Sequence, residues 1–116
     1  MSSPRRGEIW FTRLPTEKGK RPVVIVSVNA RNNHPRADTV MVVPLSTSVH
    51  KGEVFTHLVL EPAQTGLRER SVAKAEDVTT IRKTSLDSAR ERLRTLSSTQ
   101  ICDLAKKVEL AMGCAL

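Results

Sequence analysis

The sequence predicts a mainly β domain, a small barrel or sandwich, finished by one C-terminal helix. Three observations carry this. Apolar, β-branched runs over residues 22–28 and 40–45 are separated by stretches dense in Gly, Pro, Asn and Asp. Beyond residue 100 the apolar residues switch to helical spacing. A chain of 116 residues, 39% hydrophobic, supports one core, so a single domain is expected over residues 1–116. The aromatic content of 3% leaves that core to Val, Leu and Ile.

Taken in order, residues 8–11 (EIWF) form a short strand, and residues 12–20, with Pro15 and Gly19, a loop. Residues 22–28 (PVVIVSV) are the strongest strand; so continuous a β-branched run implies burial on both faces or in a barrel wall. Residues 29–39 are rich in turn formers. Residues 40–45 (VMVVPL) form another strand, with Pro44 near its end where a missing N–H is tolerated. Ser46, Thr47 and Ser48 follow at its mouth. A strand is expected over 56–60, a loop over 61–70 and one or two short strands over 71–81. Residues 86–96 suggest a short helical turn. Ile101, Leu104, Ala105, Val108, Ala111 and Met112 then mark one stripe of an amphipathic helix. Ser97 with Gln100 gives a capping-box start, and Gly113 a stop.

Lys and Arg number 19 against 12 Asp and Glu, a formal +7, which favours a polyanionic partner: nucleic acid, an acidic protein or an anionic membrane. No apolar run approaches the roughly 20 residues of a membrane span, and residues 1–7 lack the apolar core of a signal peptide. The expectation is a cytoplasmic protein with no membrane role. Cys102 and Cys114 lack metal-ligand spacing and read as reduced, small hydrophobes on the terminal helix, so neither a metal nor a cofactor is expected.

Several segments carry a family likeness. Arg6-Gly7-Glu8-Ile9-Trp10 resembles the RGDIWW-type opening of the MazF/PemK ribonuclease toxins. Residues 19–27 (GKRPVVIVS) resemble their G-x-RPVVVLS segment, and residues 42–48 (VVPLSTS) their VVPIT segment. Arg70-Ser71-Val72-Ala73 is similar to DSVA, and Val78-Thr79-Thr80-Ile81 to IRTI. Each piece alone is weak, but the collinear order across almost the whole chain is specific. The resemblance implies an SH3-like small β-barrel of the CcdB/PemK type with a C-terminal helix and a symmetric homodimer. It also implies metal-independent, sequence-selective cleavage of single-stranded RNA, and an acidic MazE-like antitoxin as partner. The loop before Arg21 is shorter than the GSEQ-type insertion of many relatives, which implies a different cleavage preference.

RNA is cut without metal when its 2′-OH attacks the neighbouring phosphorus through a phosphorane carrying extra negative charge, a step that needs a charge stabiliser and proton-transfer partners. Arg21 is the stabiliser: its guanidinium can fork onto two phosphate oxygens, it precedes a rigid strand, and it matches the family's catalytic arginine. Ser46 and Thr47 fall where the family places a catalytic hydroxyl; Ser46 is preferred on register, whereas Ser48 reads as a turn former. Glu76 and Lys74 align approximately with an acidic and a basic position that act in some members. Glu76 becomes a base if its environment raises its pKa, and Lys74 a phosphate ligand; a plain surface ion pair weighs equally. Lys18, Lys20, Lys51 and Lys74 are the RNA-backbone candidates. Arg82, Lys83, Arg90, Arg92 and Arg94 read as a solvated helix face. His34, His50 and His57 read as structural or solvated, with His50 and His57 worth mutating. The alternatives are a noncatalytic CcdB-like gyrase inhibitor on the same fold and a nucleic-acid-binding barrel without activity.

Overall fold

The computed structural model describes residues 4–14, 19–47, 54–87 and 93–113. The strands are β1 (Ile9–Arg13), β2 (Lys20–Ile25), β3 (Thr39–Ser46), β4 (His57–Leu60), β5 (Ser71–Lys74), β6 (Thr79–Arg82) and β7 (Leu86–Asp87). One-turn helices α1 (Asn29–Asn32) and α2 (Pro62–Thr65) lie between them, and α3 (Ser98–Met112) closes the chain. The seven-stranded sheet runs β4-β5-β3-β2-β1-β7, with β6 also on β3. All described pairings are antiparallel. β3 holds the architecture together. Its first half pairs with β6, its last two residues with β5, and its middle with β2. That sharing curls the sheet, as the barrel expectation requires, although among the described residues the outer strands β4 and β7 do not pair with each other.

The β2 run is buried on both faces, as its composition predicts. Val23, Val24 and Ile25 have no exposed surface. Because successive side chains alternate across a strand, Val24 joins one core with Val43, Leu45, Ala73, Ile101, Leu104 and Val108 under α3. Val23 and Ile25 join a second core with Leu14, Val40, Val42 and Ile81. Fully burying each such side chain contributes about 1.5–3 kcal/mol. The strand itself stops at Ile25, three residues short of the expected end. Ser27 there turns inward, where its Oγ accepts from Met41 N at 3.0 Å and its carbonyl accepts from the fully buried Asn32 Nδ2 at 2.9 Å.

α3 starts and stops as its sequence predicts. Ser97 Oγ accepts from Gln100 N at 3.2 Å, Gln100 Oε1 accepts from Ser97 N at 3.0 Å, and Gly113 ends it in the left-handed region at φ 63°. Its buried stripe is Ile101, Leu104 and Val108. Met112, at 69% exposure, overruns the sheet beneath and leaves the stripe, and Cys102 is an exposed thiol rather than a core residue. Cys114 lies outside the described residues.

Three expectations are corrected. Residues 29–39 hold α1 as well as turns, and residues 61–70 hold α2, begun by a Glu61/Gln64 capping box with Pro62 at its first position and ended by Gly66 at φ 83°. Residues 86–96 show no helical turn among those described. Leu86 and Asp87 instead pair with Thr12 and Phe11 of β1, and Thr12 Oγ1 donates to the Ser85 carbonyl at 2.9 Å, so the open edge of β1 captures the segment. Residues 93–97 are extended; Leu96 N donates to the Gly7 carbonyl at 2.9 Å. Gly7 sits at φ 91°, and a Cβ there would meet the Leu96 carbonyl oxygen at 3.2 Å.

Candidate active site

The register of the central strands assembles the site. Val23 of β2 lies opposite Pro44 of β3. The pairing ends there, and Arg21 and Ser46 each lie two positions beyond that last pair, on the two strands that bound the cleft. The sequence dictates this: Pro22 and Pro44 fall within strands whose β-branched neighbours fix the pairing, and the polar residues follow where the apolar faces end.

Arg21, Ser46 and Thr47 line one cleft of about 460 Å³ together with Lys20, Phe11, Pro22 and Leu45, and Leu67, Arg68, Glu69 and Ser71, from the turn before β5 and its first residue, complete the lining. Arg21 and Ser46 are half-buried and Thr47 is exposed, so the cleft is open to a polymeric ligand. Lys20, Arg21 and Arg68 set Glu69 in the minority, and the field in the cleft is positive among the described residues. Lys20 is held by an ion pair from its Nζ to Asp87, which fixes β2 to β7 across the end of β1. Ser71 is buried at the start of β5, and its Oγ donates to the Glu69 carbonyl at 3.3 Å, shaping the turn that presents Arg68 and Glu69.

Lys74 and Glu76 stand apart from that cleft. Lys74 is half-buried at the end of β5 opposite His57 of β4, and Glu76 is in the 3-10 turn Ala75–Asp77 that follows. Glu76 Oε1 accepts from Thr56 Oγ1 at 2.7 Å and Oε2 bonds His57 Nε2 at 2.8 Å. Burial pushes the Glu76 carboxyl up, but the hydrogen bonds from Thr56 and His57 outweigh it and hold it below the ordinary glutamate value. The direction is the reverse of the raised pKa that a base at this position requires. Among the other sequence candidates, His34 Nδ1 accepts from Arg36 N at 3.1 Å within a turn. Lys18, Lys51, His50, Ser48, Arg90 and Arg92 lie outside the described residues. Arg82 ends β6, Lys83 is in a 3-10 turn and Arg94 in an extended segment, so the described members of the second basic cluster share no helix face. Among the described residues no three His, Cys, Asp or Glu side chains are grouped as metal ligands.

Sequence reading missed the part of the lining that comes from residues 67–71. Residues 67–71 read only as a loop entering a strand, and nothing in their spacing points across the sheet. Phe11 was equally hidden, because its segment read only as a short strand, and so was Asp87, the partner of Lys20, because its segment was expected to be helical.

Known proteins resemble this chain in sequence and in fold. Endoribonuclease MazF of Staphylococcus epidermidis is 26% identical over 114 residues, covering 94% of this chain and 91% of that protein. The toxin MazF-mt6 of Mycobacterium tuberculosis superposes with a TM-score of 0.74 at 24% identity, covering 94% of this chain and 99% of that one. A mycobacterial endoribonuclease solved in complex with its cognate antitoxin gives a TM-score of 0.75 at 24% identity, covering 98% and 99%. The MazE-MazF structure from Deinococcus radiodurans gives 0.73 at 20%, covering 99% and 100%. These likenesses establish the fold. Residues 5–112 match the family described as PemK-like, MazF-like toxins of type II toxin-antitoxin systems, and the chain belongs to that family.

Proposed function

We propose that this protein is the toxin of a toxin-antitoxin pair and acts as a metal-independent endoribonuclease, cutting single-stranded RNA at short preferred sequences. The observation that carries the reading is the cleft shared by Arg21, Ser46 and Thr47. In it, the 2′-oxygen attacks the adjacent phosphorus. The Arg21 guanidinium forks onto the non-bridging oxygens as their charge grows, and the Ser46 hydroxyl, with Thr47 beside it, donates to the same phosphate or orients the 2′-OH. Lys20, together with Lys18, Lys51 and Lys74, holds flanking phosphates, so affinity falls as salt rises. With a single aromatic residue, Phe11, in the cleft wall, base choice relies mainly on hydrogen bonds rather than stacking.

The same positive cleft suits an acidic antitoxin, and the mycobacterial endoribonuclease solved with its cognate antitoxin supports that partner. A symmetric homodimer acting in the cytoplasm completes the proposal. The test is incubation of purified protein with a long single-stranded RNA in EDTA. Cleavage that Arg21→Ala abolishes is the expected result. Intact RNA with inhibited gyrase supercoiling, or retention of RNA without cleavage, would replace this reading by a gyrase inhibitor or a binding module.

A further inference from the structure

Attack by a 2′-OH requires a group that takes its proton, and the cations and hydroxyls of the cleft do not provide one. The guanidinium of an arginine and the ammonium of a lysine only donate and have no lone pair to offer, and a serine or threonine hydroxyl is a poor base at neutral pH. The carboxylate expected to act, Glu76, is outside the cleft and occupied on both oxygens, by Thr56 and His57. His57 is bound there, and His34 is engaged with the Arg36 amide.

Among the described residues lining the cleft that Arg21 and Ser46 share, the one carboxylate is Glu69, in the turn leading into β5. Its backbone is fixed by the bond from the buried Ser71 hydroxyl. Its neighbour Arg70 is paired with Glu61 at 3.0 Å, and among the described residues the Glu69 carboxylate takes part in no hydrogen bond or ion pair. An exposed carboxylate that lines the same cleft as the charge stabiliser, and that is not engaged among the described residues, has the chemistry for proton transfer there.

We propose that Glu69 is the proton acceptor of this cleft, an inference that rests on the nuclease reading above. As the 2′-oxygen bonds to phosphorus, its proton passes to the Glu69 carboxylate. The bond from phosphorus to the 5′-oxygen breaks, its electron pair leaves with that oxygen, and the oxygen takes a proton from water. The hydroxide so formed takes the proton back from Glu69, leaving a 2′,3′-cyclic phosphate and a 5′-hydroxyl end.

The experiment measures single-turnover cleavage and RNA retention, in EDTA, for the wild type, Glu69→Gln and Glu69→Ala across pH. Glu69→Gln should lose about 100-fold or more in rate, the usual worth of a general base, while retaining RNA at least as tightly because a negative charge is gone. The fall in rate toward acid pH should vanish in the variant, and added formate should restore Glu69→Ala by about tenfold. A Glu69→Gln rate within about threefold of wild type, or a lower rate with the acid-side fall intact and no response to formate, overturns the proposal. If the wild type itself leaves RNA uncut, the failure is that of the nuclease reading, and the two outcomes stay distinct.

Discussion

Arg21 and Ser46 are expected to act on one phosphate, which makes their combined loss smaller than the product of the separate losses. Both are half-buried in one cleft, each two positions beyond the last paired residues of β2 and β3. Removing a preorganised cationic donor at the developing charge costs about 2.7–4 kcal/mol, so Arg21→Ala should slow cleavage by roughly 10²–10³-fold. A hydroxyl bonded to a charged group is worth about 1.5–3 kcal/mol, so Ser46→Ala should lose roughly 10–150-fold. Independent contributions would sum to about 4–7 kcal/mol, a loss of roughly 10³–10⁵-fold. Without the guanidinium, however, the phosphate is no longer seated where the hydroxyl can reach it. The double variant should therefore resemble Arg21→Ala alone, with a coupling energy of about 1–3 kcal/mol. The assay is single-turnover cleavage of one defined RNA at saturating protein for all four members of the cycle. Multiplicative losses would show that the two side chains serve different groups and refute the shared-phosphate arrangement.

Three further outcomes are expected. Leu104→Ala removes a fully buried side chain between α3 and the sheet and should destabilise the fold by about 2–5 kcal/mol in denaturant unfolding; a change below about 1 kcal/mol would mean that α3 is not docked as described. Glu76 has its folded pKa depressed below 4.5, so it contributes stability above the unfolded value that is lost as pH falls through the lower, folded one. Acid unfolding of the wild type should accordingly steepen below pH 4.5 relative to Glu76→Gln, and superimposable curves would dispose of the idea. Asp87→Asn releases Lys20 for phosphate and should steepen the salt dependence of RNA retention by about 0.7 in log–log slope, the increment of one added single-strand contact; an unchanged slope would place Lys20 outside the RNA path.

Much of this could be read from the residues. The β-branched run of β2, the capping box at Ser97 and the stop at Gly113 declare their own structure, because local sterics and the hydrophobic period act over a few residues. Arg21 and Ser46 stood out as candidates through the resemblance of their segments, GKRPVVIVS and VVPLSTS, to the family's motifs, and not through local pattern alone. The rest depends on pairing between distant segments. Asp87 meets Lys20 only because the edge of β1 recruits residues 86 and 87, and Arg68 and Glu69 reach the cleft through the pairing of β5 with β3. Glu76 shows the limit from the other side. Its alignment suggested a base, but only the placement of Thr56 and His57, about twenty positions away in the chain, decides the sign of its shift.

The two walls of the cleft differ in how they are held. β3 is locked by three neighbouring strands, so the amide hydrogens leading to Ser46 should exchange with solvent only through near-global opening. Residues 68–70 are exposed, between Leu67, which packs against the core, and the buried Ser71, and they should exchange orders of magnitude faster. A nucleotide entering between them meets a fixed jaw and a yielding one, so selection among RNA sequences should be decided by how far the yielding jaw adjusts.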